Sequence, residues 1–382
     1  MDKPIPYGRH SLDDEDISAV VQVLRSDWLT TGPKVAEFEA AIATYTGAQH
    51  AVAVNSGTAA LHSALNALDI RCGDEVIVPA ITFLATANAV VYQGGTPVFA
   101  DILPDTLTIN PDSVAERISP RTRAVIAVDY AGQPCAYDEL QALCDRKGIK
   151  LVADACHSLG AEYKGRKSGT LGVLNCLSFH PVKHITTGEG GMILTNEAAF
   201  ADKMRRFRNH GITLDAQKRR TKGTWYYEMN EPGYNYRITD IQCALGISQL
   251  RKLPEWLDRR RSIASRYDEA IRVIPGMTPL SVHNHVRHAY HLYVIRLDQT
   301  IYNRAEVFKG LHELGILVNV HYIPIHLQPF YRIHYGTCEG LCPVAEQAYE
   351  EIISLPLFPT MHDEDVQRII KDINRICRRF VK

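Results

Sequence analysis

Between about residue 50 and residue 200, short apolar runs rich in β-branched residues alternate with stretches whose apolar positions recur at helical spacing. That alternation predicts strands of a mostly parallel sheet joined by crossover helices, an α/β architecture. The expected strands are His50–Val54, Glu75–Pro79, Pro97–Ala100, Ala124–Val128, Lys150–Ala153 and Met192–Thr195. Leu12–Leu24 and Val35–Tyr45 read as amphipathic helices, and Ser56–Asn66 as a helix opening directly after the first strand. From Ile238 to Arg272 the pattern turns long and helical, with Leu245, Leu250, Leu253 and Leu257 among charges. Beyond Pro275, Tyr290–Leu297 and Ile316–His321 are expected strands, and Arg304–Glu313 and Asp363–Arg379 expected helices. A boundary near residue 250 would divide a large unit over 1–250, N-terminal arm included, from a smaller α+β unit over 251–382.

Composition narrows the partners. The 382 residues are 46% hydrophobic and 22% charged, with a formal net charge of -1. No global field gathers nucleic acid or anionic membrane, so an anionic substrate needs a local cluster of donors. No run approaches the roughly 20 apolar residues of a membrane span. Met1 to His10 is polar and lacks the basic-then-apolar pattern of a targeting segment. Nine scattered cysteines without a CxxC pair fit reduced thiols, and a cytoplasmic location is expected.

Three segments carry chemistry. Asn55-Ser56-Gly57-Thr58 sits at a strand-to-helix turn, where free backbone N–H groups and the positive helix end can seat a phosphate. An ordinary N-capped helix explains the same residues, so context must decide. Asp154 ends an apolar strand, where open α/β sheets place ligands; its carboxylate can hold a cation such as a protonated pyridine, or cap the next helix. His157 can orient a ring oxygen or simply pack. Lys183 lies within Ser178-Phe179-His180-Pro181-Val182-Lys183-His184-Ile185-Thr186-Thr187-Gly188-Glu189-Gly190-Gly191. Apolar surroundings disfavour its ammonium and leave the neutral amine that a Schiff base requires.

These segments, together with Trp28 to Pro33, Thr82 to Thr86, Gly233 to Arg237 and His321 to Pro324, resemble the DegT/DnrJ/EryC1 sugar aminotransferases over nearly the whole chain. The resemblance implies fold type I of the pyridoxal-phosphate (PLP) enzymes, the aspartate-aminotransferase-like fold. Lys183 would carry the cofactor as a Schiff base and then shuttle a proton. Asp154 would pair with the pyridine nitrogen, Phe83 would stack on the ring, and His157 would meet its oxygen side. Gly57, Thr58, Ser178 and Asn235 would hold the phosphate, Asn235 reaching over from a second subunit, which implies a homodimer with shared active sites. Substrate contacts would come from Tyr7, Arg25, Ser26, Asp27, Trp28, Asn235, Arg237, Asn319, Val320, His321 and Tyr322.

The run from Phe179 to Gly191 is most similar to members that serve pseudaminic acid biosynthesis. Such an enzyme would move the amino group of L-glutamate to C4 of a UDP-linked 4-keto-6-deoxy-N-acetylhexosamine, releasing 2-oxoglutarate. Family dehydratases carry histidine at the lysine position, so Lys183 argues for amination. Aminotransferases making UDP-4-amino-4-deoxy-L-arabinose remain an alternative; they usually lack the Ile185-Thr186-Thr187 run. A non-catalytic PLP-binding regulator is a third reading, against which stands the absence of any sequence left over for a DNA-binding domain. The basic run Lys218-Arg219-Arg220 is read as a solvated loop, and of the histidines His283, His285, His288 and His291 the first three as loop or surface residues, with the expected strand from Tyr290 separating His291 from them, which argues against a compact metal set.

Overall fold

The computed structural model describes residues 3–214, 219, 221 and 223–379. Its centre is a seven-stranded sheet in the order His50–Val54, Gly191–Thr195, Leu174–Ser178, Lys150–Asp154, Thr122–Val128, Glu75–Pro79, Thr96–Ala100. Gly191–Thr195 runs antiparallel to both neighbours, and every other pairing is parallel. Helices cover both faces, so inner strands are apolar on both sides: Val76 and Val78 join one core and Ile77 the other. All six expected strands are present, each within two residues of its expected start.

The Leu174–Ser178 strand was not expected. It has no β-branched residue and a polar Asn175 at its second position. Asn175 is 1% exposed and folds its amide back on the preceding turn, accepting from the N–H groups of Leu171 and Gly172 and donating to the Gly172 carbonyl. The polar side chain is thereby satisfied inside a buried strand.

The three early helices form close to where the pattern puts them. Asp13 caps Asp14–Leu24 in a capping box with Asp16, Pro33 starts Pro33–Thr46, and Ser56 caps Gly57–Ala67. The long helix Asp240–Ile271 opens with a Thr239/Gln242 capping box. Its Leu253 and Leu257 pack beside the central sheet, while Ile263, Ala264, Tyr267 and Ile271 enter a second core. That second core surrounds an antiparallel sheet of Met277–Pro279, Tyr293–Leu297 and Ile352–Leu355, flanked by Arg304–Glu313 and Asp363–Arg379. Ile5 packs there too, because Ile5–Pro6 pairs in parallel with Ile316–Leu317. Among the described residues no helix is long and apolar enough to cross a membrane.

Two expected strands are shorter than their apolar runs. The first begins at Tyr293, since Tyr290 has φ of 50° and its carbonyl is taken by Arg260. The second ends at Leu317, after which Asn319 exchanges backbone hydrogen bonds with Ser354 and the chain turns toward the sheet edge.

Candidate active site

A cavity of about 560 Å³ opens where the parallel strands end. Its wall includes Gly57, Thr58, Phe83, Asp154, His157, Ser178, Lys183, Tyr7 and Asn319 to Tyr322. The structure thus gathers one cofactor-type set and part of the expected substrate set around a single space.

Lys183 stands on the loop joining Leu174–Ser178 to Gly191–Thr195. The loop is braced from beneath: the Thr186 hydroxyl and the Thr187 N–H both donate to the Phe179 carbonyl at 3.0 Å, and Phe179 N–H donates to the Gly190 carbonyl at 2.9 Å. Gly188 takes φ of +80° to close the turn. Thr186 and Thr187 are buried and do not line the cavity. Burial lowers the affinity of Lys183 for its proton, partly offset by nearby Cys156 and Asp154.

Asp154 is 5% exposed at the end of its strand. Its Oδ2 accepts from the Thr86 hydroxyl at 2.8 Å, and Thr86 in turn contacts the Thr82 hydroxyl at 2.8 Å. Oδ1 accepts from Cys156 N–H at 3.3 Å, so the carboxylate is fixed but has no bonded cation among the described residues. His157 is buried; its Nε2 meets the Tyr322 hydroxyl at 3.2 Å and its Nδ1 has no partner among the described residues. Burial, with Lys183 nearby, holds His157 neutral.

At the phosphate seat, the Ser56 hydroxyl takes the Ala59 N–H at 3.0 Å, leaving the first N–H groups of the helix at its open end. A side chain at Gly57 would meet Ser178 Cβ at 2.9 Å and Ser178 Oγ at 3.2 Å. Only a glycine lets the two walls of the seat approach this closely.

Other expected residues lie elsewhere. Asn235 is exposed, and its carbonyl accepts from the Asn55 side chain at 3.4 Å. Arg237 donates to Asn209 at 2.8 Å and lines a separate cavity with Arg205 and Arg208. Arg25, Ser26, Asp27 and Trp28 follow the first long helix, away from the Lys183 cavity of their own chain. Of the basic run, Lys218 and Arg220 lie outside the described residues, while Arg219 packs on the Tyr227 ring.

The solvated-loop reading is corrected for His288, and His291, expected on a strand, lies just ahead of that strand's start at Tyr293. His288 and His291 are 8% and 5% exposed. His291 Nε2 is 3.4 Å from Lys183 Nζ, and its ring centroid is 4.3 Å from that of His157. The sequence carried a signal, since apolar residues flank His291 as they do a buried strand. Thr86 was likewise given no role, although Thr82 and Thr86 are one helical turn apart.

A buried lysine, a strand-end carboxylate and a glycine-walled helix terminus on one mostly parallel sheet define a PLP-dependent enzyme of fold type I. The chain belongs to the DegT/DnrJ/EryC1/StrS aminotransferase family, whose model matches residues 10–374. It is 42% identical over 378 residues to the spore coat polysaccharide biosynthesis protein SpsC of Bacillus subtilis, covering 98% of this chain and 97% of that one. Helicobacter pylori PseC, an aminotransferase involved in pseudaminic acid biosynthesis, superposes with a TM-score of 0.93 at 34% identity, covering 99% and 100% of the chains. Streptococcus pneumoniae Spr1654, solved in PLP and PMP forms, also superposes at 0.93, with 33–34% identity and 98–99% coverage. The site fits the cofactor on its own terms: Asp154 wants a cation, His157 Nδ1 wants a partner, and the Gly57–Ser178 seat suits an anion.

Proposed function

We propose that this aminotransferase moves the amino group of L-glutamate to C4 of a UDP-linked 4-keto-6-deoxy-N-acetylhexosamine, as in nonulosonic acid biosynthesis. The observation that carries this reading is the full-length superposition on PseC, with Lys183 and Asp154 facing one cavity.

PLP bound there supplies an electron sink and a transient amine carrier. Lys183 would hold it through Nζ, and its desolvated amine is suited to moving the proton at the substrate carbon. Asp154, oriented by Thr86, keeps a proton on the ring nitrogen. Gly57, Thr58 and Ser178 hold the phosphate, and Phe83, 56% exposed at the cavity mouth, covers the ring face. Tyr7 and His321, with ring centroids 5.1 Å apart, offer tilted faces for a sugar or base, beside Asn319, Val320 and Tyr322.

Asn235, Arg237 and Arg25 to Trp28 do not line their own chain's cavity, and we assign them to the neighbouring active site of a homodimer. Mixing Lys183→Ala with Asn235→Ala subunits then restores partial activity, because one hybrid site is intact; verified mixed dimers without recovery would refute sharing.

A second reading, amination of another nucleotide-linked 4-keto sugar destined for surface polysaccharide, is favoured by the higher identity to SpsC than to PseC. The Ile185-Thr186-Thr187 run does not separate the two, because its threonines brace the loop and do not face the cavity. One experiment decides: UDP-, GDP- and dTDP-linked 4-keto sugars are offered with glutamate and 2-oxoglutarate is measured. Turnover confined to a GDP or dTDP sugar would overturn the proposed substrate.

A further inference from the structure

We propose that His291 is a positioning residue that docks the free amine of Lys183 through Nε2, holding it in line whenever it is not bonded to the cofactor. This rests on the reading of Lys183 as the cofactor lysine.

The geometry is that of a prepared dock. His291 is 5% exposed, with Nε2 3.4 Å from Lys183 Nζ, while its Nδ1 has no partner among the described residues. Its backbone is clamped from two sides. Arg260 Nη1 donates to the carbonyls of Tyr290 at 3.1 Å, His291 at 3.5 Å and Leu357 at 2.9 Å, so the long helix grips this segment and the second core together. From the large unit, Ala131 and Gly132 carbonyls accept from Leu292 and Ala289 N–H at 3.1 and 3.0 Å. A side chain at Gly132 would meet His291 N at 3.0 Å, so the contact is tight. Both clamps therefore fix the backbone that carries the ring.

The surroundings also fix its charge state. Among the described residues, His157, His180, His184, His321, Tyr322, Cys156, Asp154 and Arg260 are titratable groups around the Lys183–His291 pair. Burial first, then Lys183 and the neighbouring histidines and Arg260, drive His291 well below its ordinary range. It is a neutral imidazole at working pH, able to accept from Nζ.

Such a dock has a use. Over a full cycle the amine would leave the cofactor in the first half-reaction and return to it in the second, and an unheld lysine side chain would have to give up its rotamer freedom on that return. Accepting from Nζ also favours the ammonium over the amine, which offsets part of the desolvation acting on Lys183.

The test uses holoenzymes carrying His291→Leu and His291→Gln, since a glutamine amide reaches the place of Nε2 and a leucine fills it without hydrogen bonding. Each is converted to its pyridoxamine form, in which Lys183 is free. Recovery of the visible absorbance on adding 2-oxoglutarate is then followed across pH. His291→Leu is expected to bind PLP normally but recover about ten- to a hundredfold more slowly, the scale of a hydrogen bond to a charged group. Its lysine limb should move about one unit toward lower pH. His291→Gln is expected to stay within about threefold of wild type with the limb in place. A His291→Leu enzyme with wild-type rate and limb would overturn the dock, as would a His291→Gln enzyme as slow as His291→Leu. Failure of the underlying reading shows separately, as a Lys183→Ala protein that still forms the wild-type visible band.

Discussion

Gly57→Ala isolates the phosphate seat. The added methyl would stand 2.9 Å from Ser178 Cβ, 3.2 Å from Ser178 Oγ and 3.4 Å from Cys156 Sγ. Ordinary carbon contacts sit at about 3.5–4.0 Å, so the helix start and the Ser178 strand end must part by roughly half an ångström. Overpacking of that kind costs about 1–3 kcal/mol. The strand end is tied into a seven-stranded sheet, so the displacement falls on the helix start, where Gly57 and Thr58 present their N–H groups. Loss of one charge-assisted bond to a phosphate is worth about 1.5–3 kcal/mol, or roughly ten- to a hundredfold in affinity. Titrating apoenzyme with PLP by visible absorbance measures this directly, and apoenzyme Tm gives the packing cost. Unchanged PLP affinity beside a lowered Tm would refute the assignment of Gly57 to the seat, leaving it a packing glycine.

Lys183→Ala should keep the fold and abolish turnover; substantial residual transamination in that variant would rule out the mechanism. Thr86→Val removes the only hydroxyl bonded to Asp154 Oδ2 among the described residues while keeping shape; the glutamate half-reaction should slow about tenfold at near-normal PLP content, and an unchanged rate would remove Thr86 from the site. Buried histidines contribute to acid stability: burial takes His62 down to about 4 and His288 down to about 3, and holds His184, beside the Lys183–His291 pair, well below its ordinary range. Each folded value lies under the unfolded one, so their stabilisation is present above about pH 6.5 and lost as pH falls, at about 1.4 kcal/mol per group per unit. Asp129 works the other way: burial raises it to about 6, so its contribution is largest below its unfolded value and is lost as pH rises through 6. For these four groups alone, three histidines against one aspartate leave two groups' worth, about 3 kcal/mol per unit between roughly pH 6 and 4; the cavity histidines His157, His291 and His321 shift in the same direction as the three, and a Tm that stays flat from pH 6.5 to 5 would contradict it.

The parallel strands were legible because a strand buried on both faces is a continuous apolar run, and Val76, Ile77 and Val78 show why. Leu174–Ser178 was not legible, since Asn175 satisfies its polarity through a turn that only the folded chain supplies. Lys183, Asp154 and Gly57 were each singled out from the chemistry of their own segments, and the structure brings all three to one cavity. His291 was not, because its partner is 108 positions away in sequence and nothing in its own apolar surroundings names a lysine. Asn235 is a different case: its assignment requires a second copy, and one chain shows only that it lies outside its own cavity.

One antiparallel strand explains why the lysine meets the rest. A connection between neighbouring parallel strands must cross to the far edge of the sheet and return by a crossover of a dozen or more residues. Because Gly191–Thr195 reverses beside Leu174–Ser178, the loop from Phe179 to Gly190 leaves and re-enters at the same edge, above Asp154 and Gly57. The height of Lys183 is then set by the loop's own hydrogen bonds together with outside ties, His184 Nε2 to the Ala289 carbonyl at 3.1 Å and the Gln242 amide to the Glu189 carbonyl at 2.7 Å; Thr186 supplies one of the internal bonds while also receiving Gly188 N–H at 3.0 Å. Thr186→Val should therefore lower Tm only modestly, by the loss of two hydrogen bonds worth about 0.5–1.5 kcal/mol each, since the Phe179 carbonyl keeps the Thr187 N–H and Gly188 is exposed to water, and it should weaken PLP retention. It should leave the ranking of nucleotide sugars untouched, because the threonine does not face the cavity. A changed sugar ranking at normal PLP content would show that the loop reads the substrate as well as holding the lysine, and would return the Ile185 to Thr187 run to the specificity determinants.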